Sequence, residues 1–246
     1  MKDAIHPRVP RKKAEHALSL GTALLVLMGG LLAISAWNKT ATTSAEARPL
    51  SGLTILVDAG HGGYDGGAKC RDSGIWEKEI NLAVAKRLED ALTRQGARVV
   101  MTRTTDTDLC SEPRPANLTK KRQDMQARIA MARENHVDMV LSIHMNEYRV
   151  RSESGPQVFY REGCDAGRLL AGCVQAAMIA RLQPRKQRAA MAGDYFILQL
   201  EVPSVLVECG FVSNGEEEQK LLNGDYQKQI AHAIATGVIE YLQFSQ

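Results

Sequence analysis

The sequence predicts a single α/β domain, with a central and mostly parallel sheet flanked by helices, preceded by an N-terminal membrane-spanning helix. Three observations carry this. Strand-like runs such as ILVDAG (55–60) and SVLVEC (204–209) are apolar almost throughout, the habit of strands buried on both faces of a parallel sheet. Longer amphipathic stretches alternate with them, as helices do in α/β domains. Finally, twenty uncharged residues, Leu18–Trp37, follow a basic N-terminus.

Residues 1–16 form a basic leader with five basic and two acidic groups. The whole chain has 31 basic and 28 acidic side chains, so 26 of each remain beyond the leader and the body is neutral. That balance gives no support to a basic face for nucleic acid, and none is expected. The segment 17–37 is the predicted anchor. At about 1.5 Å per residue its uncharged run reaches roughly 30 Å, one hydrocarbon thickness. The basic flank places the leader in the cytoplasm and everything after Trp37 outside. A cleaved signal segment is the alternative. Ala45-Glu46-Ala47 has the small-x-small form of a cleavage site but lies well past the apolar run, which favours an uncleaved anchor. Residues 38–50 are polar, small and Pro-containing, and read as a linker. Residues 51–246 are then one domain, long enough to bury about 70% of its unfolded surface. With 44% hydrophobic and 24% charged residues, the 246-residue chain is neither disordered, collagen-like nor a disulfide-stapled miniprotein.

Within the domain, LTILVDAG (53–60) is a first strand. Residues 77–95 place Ile80, Val84, Leu88 and Leu92 at steps of four, a helical face, and Gly96 is its stop. ARVVMTR (97–103) is a second strand, and 103–119 a polar loop with two prolines. Residues 120–135 read as a helix through Met125, Ile129 and Ala132. DMVLSIH (138–144) is the third strand, and PQVFYRE (156–162) a shorter one of edge type. A helix over 166–182, the strand SVLVECGF (204–211) and a last helix over Tyr226–Leu242 complete the chain. The five cysteines (Cys70, Cys110, Cys164, Cys173, Cys209) lack CxxC spacing, so a thiolate zinc site is not expected, and most should be small buried hydrophobes.

Three of these strands run into a group that ligates metal or moves a proton: His61 after ILVDAG, His144 after VLSI, and Glu208 inside VLVECG. Ligands of open parallel sheets bind at the carboxyl ends of the strands. Glu77, at the start of the first helix, leaves from the same edge. Two imidazoles and a carboxylate suit zinc with an open position for water. His61, Glu77 and His144 are thus candidate ligands, and Glu208 a candidate general base and acid. Glu77 equally suits a first-turn helix acid, and a lone histidine at a strand end is more often a plain loop residue. Glu208 is the harder to explain otherwise, because a carboxylate in an apolar strand costs several kcal/mol unless paired. Asp58 is expected to hydrogen-bond backbone groups at its turn. GHGGYDGGA (60–68) lacks the Lys-Ser/Thr of a phosphate loop and misses GxGxxG by one position. It reads as a turn carrying backbone close to metal and substrate. No GxSxG supports a serine nucleophile.

ILVDAGHGGYDGGA, IWEKEINLAVAKRL, VLSIHMN and VPSVLVECGFVSN, in this order and spacing, resemble the zinc-dependent N-acetylmuramoyl-L-alanine amidases of the Amidase_3 type. MTRTTDTDL (101–109) is similar as well, and the resemblance spans 52–243. It implies hydrolysis of the amide between the lactyl group of N-acetylmuramic acid and the L-alanine of the peptidoglycan stem. It implies Zn2+ held by His61, Glu77 and His144, Glu208 as the catalytic glutamate, and Asn146 as a residue that orients the site or binds substrate. Glu147 departs from the small residue common there. The anchor, single catalytic domain and TRTTDTDL stretch look most like the germination-specific, spore-cortex branch, in which peptide removal prepares muramic δ-lactam. A vegetative autolysin or cell-separation amidase is the neighbouring alternative, and another zinc peptidase acting on the stem a third. Some members carry an inserted helix that a protein partner removes. No long insertion is visible here, but 145–155 and 183–193 have room for a short gate; the basic QPRKQRAAMAG (183–193) suits contact with anionic glycan, although a solvated loop is the plainer reading. A monomer in the cell wall or spore envelope is expected.

Overall fold

The computed structural model describes residues 48–111 and 117–245. The leader, the anchor over 17–37 and most of the linker lie outside the described residues. Among those described, no helix is long and apolar enough to cross a membrane.

The continuous apolar runs form the sheet. Strand β1 is Thr54–Ala59, β2 Arg98–Met101, β3 Met139–Asn146, β4 Gln157–Tyr160, β5 Met191–Ala192 and β6 Ser204–Phe211. Their order across the sheet is β2-β1-β3-β6-β4-β5. The first four of that order run parallel, and β4 joins β6 antiparallel. The helices are α1 (Glu77–Arg94), α2 (Lys120–Glu134), α3 (Asp165–Leu182), α4 (Gly215–Leu221) and α5 (Gly224–Phe244), with a 3-10 turn at Phe196–Leu198. Helix α1 stops as the sequence predicts: Gly96, at φ 99°, takes the left-handed turn beyond it. Polar caps begin other helices. Thr119 Oγ1 accepts from Arg122 N at 3.2 Å, and Asn223 Oδ1 from Asp225 N at 2.8 Å.

Strand alternation sends side chains to two cores. Ile55, Val57, Leu141, Ile143, Val205 and Val207 pack on the face covered by α1, α3 and α5. Leu56, Val140 and Leu206 pack under α2 and the 3-10 turn. Each fully buried aliphatic of this kind contributes about 1.5–3 kcal/mol. Cys70, Cys173 and Cys209 are buried thiols, and none of the five is in a disulfide.

One sequence expectation is corrected. PQVFYRE is not an edge strand: β5, only two residues long, pairs with its outer side. The segments 145–155 and 183–193 lie against one another. Glu153 in the first pairs with Lys186 at 2.7 Å and with Arg188 in the second, so those basic side chains are engaged. Arg188 Nε also donates to Ser154 O at 2.9 Å.

Candidate metal centre

The parallel register delivers the candidate residues to one place. Asp58 pairs with Ser142 across β1–β3, and Ser142 with Leu206 across β3–β6. Two residues on, Gly60 N donates to Ile143 O at 3.0 Å, and His144 lies beside Glu208. A bulge between His144 and Asn146 then ends the regular pairing. Bulges near sites re-aim side chains. Asn146 itself is placed by its carbonyl, which accepts from Val212 N at 2.9 Å.

Glu77 opens α1 and is 3% exposed. Its neighbour Trp76, the N-cap, stays 41% exposed with its indole over Gly66. Glu77 Oε1 accepts from Met145 N at 3.1 Å and Asn81 Nδ2 at 3.0 Å, and meets His144 Nδ1 at 3.0 Å. Oε2 accepts from Ala68 N at 2.9 Å and meets His61 Nε2 at 3.2 Å. One ligand atom from each of the three residues falls within 4.8 Å of the others. The two imidazoles stand 4.9 Å apart and nearly perpendicular. Missing side chains make the room. A Cβ on Gly60 would sit 2.3 Å from His144 Nε2, and one on Gly67 2.5 Å from Glu77 Oε2.

The donor set fits a divalent cation. His61 Nδ1 faces Asp65 Oδ2 at 3.0 Å, which makes Nδ1 the proton-bearing nitrogen. Nε2 and the Glu77 oxygen are then two acceptors only 3.2 Å apart. They need a positive charge between them. Without metal it is a proton: burial alone would lower the His61 pKa, but Glu77 and Asp65 raise it to about 9. Burial alone would raise Glu77, yet the two imidazoles hold it far below the usual carboxylate range. A zinc ion can replace that proton, since two ligands each about 2.0–2.1 Å from one tetrahedral ion stand about 3.3 Å apart.

Glu208 is outside this group of three. Its Oε2 is shut from solvent with no hydrogen-bond partner. Burial pushes its pKa up to about 7, partly offset by His144. The arrangement therefore holds one fully hydrogen-bonded carboxylate with two imidazoles, and a second carboxylate free to move a proton.

Asp58 differs from its expected role. It bonds side chains rather than turn backbone: Thr102 Oγ1 donates at 2.9 Å, Ser142 Oγ at 2.6 Å and Arg128 Nη1 at 2.6 Å. Burial would raise its pKa, but Arg128 and Ser142 keep it low. Asp58, Ser142 and Arg128 line a cavity of about 240 Å³ that opens beside His61 and His144. Met125, Tyr195, Phe196, Ile197 and Leu206 give it an apolar wall, and Lys121 stands among its lining residues.

Sequence reasoning missed Asp65, Asn81, Arg103 and Arg128. The first two had a signal. Asp65 lies four residues after His61, and Asn81 one helical turn after Glu77.

A family model described as N-acetylmuramoyl-L-alanine amidase, of Amidase_3 type, matches residues 55–240. The chain is 34% identical over 194 residues to the germination-specific N-acetylmuramoyl-L-alanine amidase of Bacillus subtilis, covering 78% of this chain and 81% of that one. It is similar to the CwlD amidase of Clostridioides difficile, solved in complex with the GerS lipoprotein. That match has a TM-score of 0.74 and 33% identity, covering 78% of this chain and 99% of that one. An N-acetylmuramoyl-L-alanine amidase from Clostridium difficile 630 matches with a TM-score of 0.70 and 31% identity over 79% of this chain and 98% of its own.

Proposed function

The chain belongs to the N-acetylmuramoyl-L-alanine amidase family, and from that premise we propose that it is a zinc-dependent peptidoglycan amidase of spore-cortex maturation. The observation that carries the zinc reading is the single carboxylate, Glu77, placed against two imidazoles. His61, Glu77 and His144 are the proposed ligands. The cortex reading rests on likeness to the germination-specific relative.

Zinc in that cradle would supply Lewis acidity to the scissile carbonyl and to the attacking water. The chain's own residues do the rest. Ionised Glu208 takes a proton from the water as its oxygen attacks the lactyl carbonyl carbon. It then gives that proton to the alanine nitrogen as the C–N bond breaks, leaving a lactyl carboxylic acid and a free amine, which settle in water as carboxylate and ammonium. A carboxyl titrating at about 7 is well matched to both halves of the task. The cavity beside His61 has its Asp58, Ser142 and Arg128 groups already engaged and an apolar wall opposite, so it suits the small aliphatic alanyl end of the stem. Asn146, beyond the bulge, is a proposed substrate contact.

The proposed organisation is a cytoplasmic leader (1–16), an anchor or signal segment (17–37), a linker (38–50) and an extracytoplasmic catalytic domain (51–246). The Clostridioides difficile neighbour is solved with a lipoprotein, which supports a protein partner for this chain too.

Digestion of purified peptidoglycan tests the reading. Released stems should carry a free N-terminal alanine, and a chelator should stop their release. Products cut within the stem, with lactyl-alanine bonds intact, would point to a peptidase.

Metal binding should also depend on pH in a set direction. His61 must lose its proton to bind zinc, and that proton leaves at about pH 9 in the metal-free protein. Zinc affinity, measured by chelator competition, should rise about tenfold per pH unit between pH 7 and 9. The metal-free fold should do the opposite. His61 is raised from 6.5, so its contribution is full below pH 6.5 and is lost as pH climbs through about 9. An affinity that does not change between pH 7 and 9 would show that no proton is displaced from His61 and would overturn the exchange of proton for metal at Nε2.

A further inference from the structure

Where β1 leaves the sheet, three successive carbonyls lose their strand partners and must find other donors. Buried side chains supply them. Arg103 Nε donates to Ala59 O at 2.9 Å and Arg103 Nη2 to Gly60 O at 2.9 Å. Arg128 Nη1 donates to Ala59 O at 3.0 Å and Nη2 to His61 O at 2.8 Å. Asn81 Nδ2 adds a bond to Gly60 O at 3.2 Å. His61, at the end of this run, has a positive φ of 60°, a conformation that costs a non-glycine residue energy unless its surroundings enforce it.

The two arginines differ. Arg128 is balanced by Asp58 and Asp124. Arg103, 3% exposed, makes no ion pair among the described residues and spends its fork on carbonyls alone. Its Nη2 also reaches Lys78 O at 2.8 Å, and its Nη1 Thr105 O at 3.2 Å. Lys78 follows Glu77 in the first turn of α1. One guanidinium thus ties the segment carrying His61 to the segment carrying Glu77. It passes directly beneath Gly62, where a Cβ would lie 2.8 Å from Arg103 Cδ. Burying a cation without a direct ion pair is costly, and what Arg103 gains in exchange is four backbone carbonyls, two of them beside proposed ligands.

We infer that Arg103 is a positioning residue for the metal centre, fixing the separation of His61 and Glu77 through the Gly60 and Lys78 carbonyls. The inference rests on the zinc reading given above. A lysine keeps the charge, but its single ammonium nitrogen cannot reproduce the planar fork that reaches the Ala59, Gly60, Lys78 and Thr105 carbonyls at once.

The test is Arg103→Lys in the full chain, read by zinc affinity from chelator competition and by the visible spectrum of the cobalt-substituted protein. Outer partners of ligands typically set affinity by 10–100-fold. The expected result is a loss of about that size, a changed cobalt spectrum, and circular dichroism of the metal-free variant like the parent's. Parent-like zinc affinity and cobalt spectrum in the variant would overturn the assignment. If the parent binds no zinc, the zinc reading fails instead. Should the variant not fold, amide hydrogen exchange on the parent decides. Adding zinc should slow exchange over both 60–68 and 102–108, although the second segment contributes no ligand. Slowing confined to 60–68 would sink the coupling.

Discussion

Glu208→Gln should lower kcat by about 10²–10⁴ while the protein keeps its full complement of zinc. The amide is nearly isosteric, so packing is preserved. What disappears is a group able to take a proton from water and hand it to the leaving amine. Because Glu208 is outside the set of three ligand residues, metal content should not follow activity. Its unpartnered Oε2 strengthens the expectation, since no hydrogen bond at that atom is lost on substitution. Peptide release followed by chromatography, beside metal analysis of the same preparation, checks both halves. A variant retaining most of its turnover would mean that another group moves the proton.

Glu77→Ala should have the larger structural effect. Zinc binding should fall below detection and peptide release with it. Three donors also lose their acceptor: Ala68 N, Met145 N and the Asn81 amide. Each buried donor left alone costs about 1–3 kcal/mol, so the metal-free variant should melt well below the parent. Glu77→Gln separates the two effects. It keeps one acceptor oxygen but turns an amide donor towards Ala68 N or Met145 N, and so is expected to fall between parent and alanine variant in melting temperature. A Glu77→Ala protein with stoichiometric zinc would refute the ligand assignment.

The strands and long helices were legible in the sequence because each owes its burial to its own pattern. SVLVECGF is a strand over its whole predicted length, and the step-of-four face of α1 faces the core as its spacing requires. Helix α4 was not legible. Its Asn214 cap and run of glutamates are start signals, but seven residues are too few to show a period. Strand β5 is two residues whose pairing depends on β4 alone. At the site, all four chemistry-bearing residues stood out as polar breaks in apolar strands or at a helix start. Their support did not. Arg103 and Arg128 are arginines in a polar loop and a surface-type helix by sequence, and only contacts across 44 and 69 residues reveal them as buried. Asp58 was misread for the same reason, as its partners lie 44, 70 and 84 residues away.

Trp76 caps the helix that begins with Glu77 and leaves part of its indole in solvent. The chain's other tryptophan, Trp37, lies in the apolar N-terminal run. Tryptophan emission, excited selectively beyond tyrosine absorption, therefore comes in residues 51–246 from a single indole one peptide bond from a proposed ligand. Occupancy of the centre can be followed in real time as a change in its intensity or wavelength, with no dye and no labelled substrate.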